Sequence, residues 1–178
     1  MVSLATNDRA ALAWEVAASV PDPEVPCVTV ADLGILRDVR FEGDVAVARV
    51  TPTYSGCPAT LAIELAIETA LLEAGFQART ERVFSPAWTT DWITEEGREK
   101  LRAYGIAPPV SGSNSIRALF GETVVACPKC GSDDTEKLSE FGSTACKASS
   151  ACCWKTCSTS GCGGRRCIIA GPSLKTAH

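Results

Sequence analysis

The chain has 178 residues, a net charge of −4 and an apolar content of 46%, which allows one folded core and a small additional module. The charge is uneven, because residues 1–110 hold nine Lys and Arg against sixteen Asp and Glu, whereas residues 111–178 hold eight against five. An acidic main domain argues against nucleic acid as a partner, since phosphate binding needs a basic face. No apolar run is long enough to cross a bilayer and the N-terminus lacks the features of a signal peptide, so we expect a cytoplasmic protein without a membrane partner.

A helix and then a β-hairpin are predicted in the first 50 residues. The helix runs to about Ser19 and carries three apolar residues on one face, Leu12, Ala13 and Val16. Residues 37–41 and 45–50 alternate between apolar and polar side chains on either side of a turn at Gly43. This pattern is typical of two strands joined by a tight turn.

The clearest helix of the sequence begins at Pro58 and ends before Gly75. Its spacing predicts that Glu64 and Glu68 lie on the side away from the core. The residues predicted to face the core are Leu61, Leu65, Ile67, Leu71 and Leu72. Residues 77–84 are predicted to form a further strand, and residues 94–104 a short amphipathic helix capped by its first threonine.

The ten cysteines are distributed unevenly. Cys27 and Cys57 stand alone, and the other eight lie in the last quarter of the chain. In a reducing compartment, clustered cysteines bind metals or take part in redox chemistry more often than they form disulfides. We therefore favour a metal site, while disulfides remain the alternative.

Cys57 comes directly before the helix that Pro58 opens, where unpaired amides and the helix dipole lower the pKa of a thiol. A thiolate at this position suits a nucleophile, a metal ligand or a carrier of sulfur, although a cysteine can also pack as a small apolar residue. A Cys–His hydrolytic mechanism is excluded because the single histidine is His178, the last residue. The rigid acidic turn of Asp22 and Glu24 can line the same pocket, or it can be an ordinary surface turn.

The C-terminal cysteines include one short metal-binding pattern, Cys127-Pro128-Lys129-Cys130-Gly131. Two thiolates separated by two residues around a tight turn can bind one tetrahedral ion. The second pair is incomplete, because no further Cys-x-x-Cys follows. We predict zinc, with iron–sulfur ligation as the alternative. The predicted ligands are Cys127, Cys130, Cys152 and Cys146, with Cys157 as an alternative to Cys146.

Several separate motifs between about residue 8 and residue 148 resemble the PaaD (also called PaaJ) family. This family is the small subunit encoded with the phenylacetyl-CoA epoxidase system of aerobic phenylacetate degradation. The motifs that carry the resemblance are Asp22-Pro23-Glu24-Val25-Pro26, Asp32-Leu33-Gly34, Thr51-Pro52-Thr53-Tyr54-Ser55-Gly56-Cys57-Pro58, Trp88-Thr89-Thr90-Asp91-Trp92-Ile93-Thr94, Cys127-Pro128-Lys129-Cys130-Gly131-Ser132 and Ser139-Glu140-Phe141-Gly142-Ser143-Thr144.

The resemblance implies that the first domain is similar to an iron–sulfur cluster assembly domain, with its exposed cysteine at Cys57. The candidate cofactor-binding residues are Cys57, Asp22 and Glu24. The resemblance also implies an accessory or maturation subunit that assists cluster assembly, holds a cluster transiently and does not itself perform ring epoxidation. Its partners would be the other oxygenase subunits, in particular the iron–sulfur reductase component, and a homodimer is left open.

Three other functions compete with this interpretation. The chain can be a structural docking subunit of the same complex, held by its zinc ribbon and without cluster chemistry. A nucleic-acid-binding zinc ribbon is disfavoured by the acidic main domain. A thiol-dependent enzyme that uses Cys57 lacks a visible base.

The resemblance ends after Ala148. Related chains have a second Cys-x-x-Cys here, whereas this chain has Lys155 where the last cysteine of that pair is expected. Our hypothesis is that residues 149–178 come from a shifted reading frame, which resequencing would test. The predicted fold class is α/β (α+β), a small mixed sheet packed with two or three helices and followed by a cysteine-rich, zinc-ribbon-like module. The predicted divisions are a domain at 1–106, a linker at 107–122, the zinc-ribbon-like module at 123–157 and an atypical, disordered tail at 158–178.

Overall fold

A computed structural model describes residues 6–53, 59–109, 126–139, 147–152 and 168–172. The chain divides into two units, residues 1–97 with 177–178, and residues 98–176. The division falls within the third helix and therefore before the boundary at residue 106 that the sequence predicts. Within the described residues, no helix is both long and apolar enough to cross a membrane.

The first unit contains a mixed three-stranded sheet with the strand order β1-β2-β3. Strands β1 and β2 form the predicted antiparallel hairpin, and α2 connects β2 to β3, which run parallel. The elements are α1 (Thr6–Ala18), β1 (Leu36–Glu42), β2 (Val45–Val50), α2 (Ala59–Glu73) and β3 (Gln77–Arg82), with α3 (Glu95–Tyr104) across the division. The predicted α/β class, a small mixed sheet with two or three helices, is confirmed, and the described residues contain three α-helices.

Helices α1 and α2 pack against the sheet and against each other around one apolar core. On α1 the residues with no exposed surface are Ala13 and Ala17, whereas Leu12 is 43% exposed. Placing Leu12 on the same face as Ala13 was therefore wrong. Small alanines at the contact let the helix lie close to the sheet, and this leaves the larger leucine outside.

The face that α2 turns toward the core also differs from the prediction. Ile67 and Leu71 are fully buried as expected, and Ile63 joins them. The other three predicted core leucines lie on the outside, with exposures of 68% for Leu61, 63% for Leu65 and 57% for Leu72. Glu64, predicted to face away from the core, is 8% exposed. The helix is apolar on more than one side, so the spacing of apolar residues does not define which side is buried.

The second unit contains an antiparallel sheet with the order β4-β5-β6. Its strands are β4 (Thr135–Ser139), β5 (Lys147–Cys152) and β6 (Ile168–Pro172). Strand β6 lies in the part of the chain that the sequence predicts to be a disordered tail. Its pairing with β5 runs from Lys147↔Pro172 to Ala151↔Ile168, so these five residues depart from that expectation.

Candidate functional site

The turn between Cys127 and Cys130 is held by backbone hydrogen bonds. The N–H of Gly131 donates to the carbonyl of Cys127 at 2.8 Å, and the N–H of Cys127 donates to the carbonyl of Ser132 at 2.9 Å. Gly131 has a φ of +70°, a left-handed conformation that side chains disfavour. The turn therefore depends on glycine, and it directs both cysteines toward the same side.

Cys152 reaches this turn through the pairing of two strands. Strand β5 ends at Cys152, which lies opposite Thr135 at the start of β4. The Sγ atoms of Cys130 and Cys152 are 3.5 Å apart, and the three Sγ atoms of Cys127, Cys130 and Cys152 all lie within 4.8 Å of one another. Cys127 and Cys152 are buried together with Ala107. The structure thus brings together three of the four predicted ligands, and Cys146 lies outside the described residues.

The spacing of these sulfur atoms fits a zinc ion. A tetrahedral zinc with Zn–S bonds of about 2.3 Å places its sulfur ligands about 3.8 Å apart. The Cys130–Cys152 separation of 3.5 Å is close to that value, and none of the three sulfur–sulfur separations exceeds 4.8 Å. Cys127, Cys130 and Cys152 would hold the metal, which when bound cross-links the Cys127 turn to strand β5.

Two of the three thiols have pKa values moved in opposite directions. Burial acts to raise the pKa of Cys127, but hydrogen bonds from the backbone of Lys129 and Cys130 and from the thiols of Cys130 and Cys152 together outweigh it and lower the pKa below its ordinary value. Burial, together with the neighbouring Cys130 and Cys127, raises the pKa of Cys152 to about 12. Without a cation the Cys152 thiol is therefore protonated at neutral pH, and a divalent ion would favour the thiolate form of all three cysteines.

In the first unit, the acidic turn is organised by Asp22. Its Oδ1 accepts hydrogen bonds from the backbone N–H groups of Glu24 and Val25 at 2.9 and 2.8 Å, and Asp22 is 7% exposed. The Asp22 side chain therefore stabilises the turn in which it lies by binding the backbone of the residues that follow it. Glu24 is half-buried at the same place. Cys57 lies outside the described residues, so its predicted proximity to Asp22 and Glu24 stays a prediction.

The bend at Asp32-Leu33-Gly34 anchors the segment of residues 88–94. The indole N–H of Trp88 donates to the carbonyl of Leu33 at 2.8 Å, and the N–H of Thr94 donates to the carbonyl of Asp32 at 2.9 Å. A Cβ on Gly34 would come within 2.6 Å of Trp92. Two motifs that the sequence presents as separate thus form one structural element.

Thr51 was not singled out from the sequence. It follows β2 at the start of the motif that leads to Cys57, and it is 1% exposed. In the part of the chain that the structure describes, its hydroxyl is buried without a hydrogen-bond partner. A polar group buried in this way is costly and calls for a structural or functional explanation. The signal that could have identified Thr51 is its position at the start of the motif that contains Cys57.

Two parts of the chain match known domain families. Residues 14–79 match the iron–sulfur cluster assembly protein family, and residues 111–159 match the PaaD zinc beta ribbon domain. The first match includes Asp22, Glu24 and Cys57, and the second includes all four predicted metal ligands. The second unit therefore contains a zinc ribbon domain, and three of its described cysteines lie in one cluster.

One curated relative covers most of the chain. The two sequences are 48% identical over 136 residues, which is 76% of this chain and 81% of the relative. The relative comes from Escherichia coli strain K12 and is provisionally named as one of the subunits of 1,2-phenylacetyl-CoA epoxidase.

Solved structures resemble the first part of the chain. A DUF59 domain of unknown function from Bacillus anthracis is 23% identical, with a TM-score of 0.50, and the match covers 54% of this chain and 93% of that one. A conserved hypothetical protein from Thermotoga maritima is 24% identical, with a TM-score of 0.44, covering 57% of this chain and 98% of that one. At this level of identity the first match concerns the fold alone.

Proposed function

Because the chain belongs to the PaaD family of phenylacetyl-CoA epoxidase subunits, we propose that it is an accessory subunit that helps to mature the oxygenase, with Cys57 as its reactive thiol. The observation that carries the proposal is the iron–sulfur assembly match, which includes Cys57 and the acidic turn of Asp22 and Glu24. The client is the iron–sulfur reductase component of the complex. The protein acts in the cytoplasm, where reducing conditions keep its cysteines as thiols.

The proposed chemistry at Cys57 is ligand exchange. Protein-bound iron–sulfur clusters are held by cysteine thiolates, usually four. A single thiolate can supply one iron–sulfur bond to a cluster in transit, and the cysteines of the client would replace it. No electron is transferred in this step, because one sulfur ligand replaces another at the same iron. The acidic turn of Asp22 and Glu24 would lie beside the exchanging thiolate, and Asp22 already holds that turn rigid.

The zinc ribbon has a different role in this account. Cys127, Cys130 and Cys152 are buried or half-buried, as expected for a structural site with few positions open to solvent. Zinc at these residues would stabilise a module with little apolar core of its own.

The group of three cysteines in the zinc ribbon also favours a second function. In this function the chain is a docking subunit that takes no part in iron–sulfur cluster assembly. The two functions differ in whether they need Cys57. In the docking function, the zinc ribbon alone accounts for the contribution of the chain to the complex.

Replacement of Cys57 distinguishes the two functions. The epoxidase subunits would be produced with wild-type chain, with Cys57→Ser or with Cys27→Ser, in a host that lacks its own copy. We expect epoxidation of phenylacetyl-CoA with Cys57→Ser to fall to the level measured without the chain, while Cys27→Ser supports wild-type activity. Wild-type activity with Cys57→Ser would assign the chain to the docking function.

A further inference from the structure

Helix α2 exposes an apolar face that the core does not use. We call it the α2 leucine face and define it by Leu61, Ala62, Leu65, Thr69 and Leu72. Its three leucines have exposures of 68%, 63% and 57%. All of α2 is described, and between Leu61 and Leu72 none of its exposed residues carries a charge. An amphipathic surface helix normally shows the opposite pattern, with charged residues toward water.

Two of the three acidic residues of α2, Glu64 and Glu68, are turned away from this face and toward strand β3, and the third, Glu73, lies exposed at the end of the helix. The Glu64 carboxylate binds the Arg82 guanidinium in a two-pronged pair, with Nη2 2.7 Å from Oε2. Glu68 accepts hydrogen bonds from Thr80. The helix therefore uses these two carboxylates inside the fold and leaves three of its four leucines outside.

The strands of the same unit show a contrasting surface. Their exposed positions carry paired charges, with Arg40 2.8 Å from Glu81 and Arg79 2.6 Å from Glu42. The uncharged α2 leucine face stands out against this surface. Contiguous apolar patches on an otherwise charged domain mark contact sites for other proteins.

We propose that the α2 leucine face is the surface on which the client subunit of the oxygenase docks, an inference that rests on the proposed function. The occupant is an apolar helix or groove of the client with a basic rim, since residues 1–110 carry sixteen acidic against nine basic residues. The face is also close in sequence to the reactive thiol. Helix α2 begins at Ala59, two residues after Cys57.

The size of the face favours a client over a second copy of this chain. A stable dimer buries about 800 Å² on each partner, whereas three leucines and two small residues offer only a few hundred. Two copies would also bring together domains with the same net negative charge. A small contact is appropriate for a subunit that must leave once the client has been matured.

A binding measurement tests this inference. Purified full-length chain would be titrated against the purified complex of the other epoxidase subunits, using wild type, Leu65→Glu, Leu12→Glu and Cys57→Ser. Leu12 is the matched control because it is also an exposed leucine on a helix of the first unit. We expect Leu65→Glu to weaken binding about tenfold or more, while the other two variants bind like wild type. Unchanged urea midpoints and zinc contents would show that the variants fold.

The outcomes separate the inference from the proposed function. Wild-type affinity of Leu65→Glu, equal losses in Leu65→Glu and Leu12→Glu, or no binding by the wild type would each overturn the inference. A dimer in light scattering that Leu65→Glu makes monomeric would also overturn it, because the occupant would then be a second copy. If Leu65→Glu loses binding but Cys57→Ser supports full activity, the docking surface stands and the cluster-carrying function of Cys57 fails.

Discussion

The carboxylate of Glu68 on α2 binds Thr80 on β3 twice. Its Oε1 accepts the backbone N–H of Thr80 at 2.7 Å and the hydroxyl of Thr80 at 2.8 Å. In the described sheet β3 is an edge strand, and an unpaired N–H at such an edge invites pairing with another chain. Glu68 therefore satisfies the edge of the sheet from the neighbouring helix.

Replacing Glu68 by alanine removes both hydrogen bonds and leaves the N–H of Thr80 without this partner. We expect Glu68→Ala to lower the free energy of unfolding by about 1–2 kcal/mol. The control is Glu73→Ala, at an exposed position of the same helix, which should change stability by less than about 0.5 kcal/mol. Urea denaturation measures both. Equal effects of the two variants would contradict the edge-capping role of Glu68.

A second prediction concerns the bend at Gly34. Gly34 and Gly43 have nearly the same backbone conformation, with φ of +66° and +61°. A Cβ at Gly34 would meet Trp92 at 2.6 Å, whereas a Cβ at Gly43 meets nothing within 4 Å. In both alanine variants the left-handed conformation lowers the free energy of unfolding by about 1–2 kcal/mol. Because of the steric conflict with Trp92, we expect Gly34→Ala to lower the free energy of unfolding by at least about 1–2 kcal/mol more than Gly43→Ala does. Urea denaturation measures both. Equal losses would show that Trp92 does not pack against the bend.

The metal site makes a third prediction. We expect Cys127→Ser, Cys130→Ser and Cys152→Ser each to lose most of the bound zinc when the protein is purified without chelator and analysed for metals. Cys27→Ser is the matched control, because Cys27 lies in the first unit. We expect it to keep the wild-type zinc content. Full zinc in Cys152→Ser would place the third ligand elsewhere.

Zinc binding should also release protons. The pKa of Cys152 is raised to about 12 by burial and by the neighbouring Cys130 and Cys127, so without metal this thiol is protonated at neutral pH. Zinc binds the thiolate, and its affinity must therefore fall as the pH falls. Calorimetric titration of the metal-free protein with zinc, in two buffers of different ionisation enthalpy, should show the release of at least one proton per ion. Binding heats independent of the buffer would contradict this.

Local features of the sequence were sufficient to predict several elements. The hairpin around Gly43 is confirmed, and Thr94 caps α3 through its hydroxyl, which accepts the N–H of Gly97 at 3.0 Å. The turn of Cys127 and Cys130 was also predictable, because its ligand spacing lies within four residues. In each case the residues that predict the element are the same residues that form it.

Contacts between distant segments decided what the sequence could not. The orientation of α2 depends on Arg82 and Thr80, which are distant in the chain and bind Glu64 and Glu68. The position of Cys152 beside Cys130 depends on the register of β4 with β5. Strand β6 depends on its pairing with β5. Periodicity and spacing contain no information about such pairings.

The central claim is that Cys57 carries cluster assembly for the oxygenase, and the cluster content of the client tests it most directly. The iron–sulfur reductase component would be purified without air from cells that produce wild-type chain, Cys57→Ser, Cys27→Ser or no chain, and analysed for iron and acid-labile sulfide. We predict that client made with Cys57→Ser contains as little of both as client made without the chain, while Cys27→Ser matches wild type. Full iron and sulfide in the client made with Cys57→Ser would contradict the account.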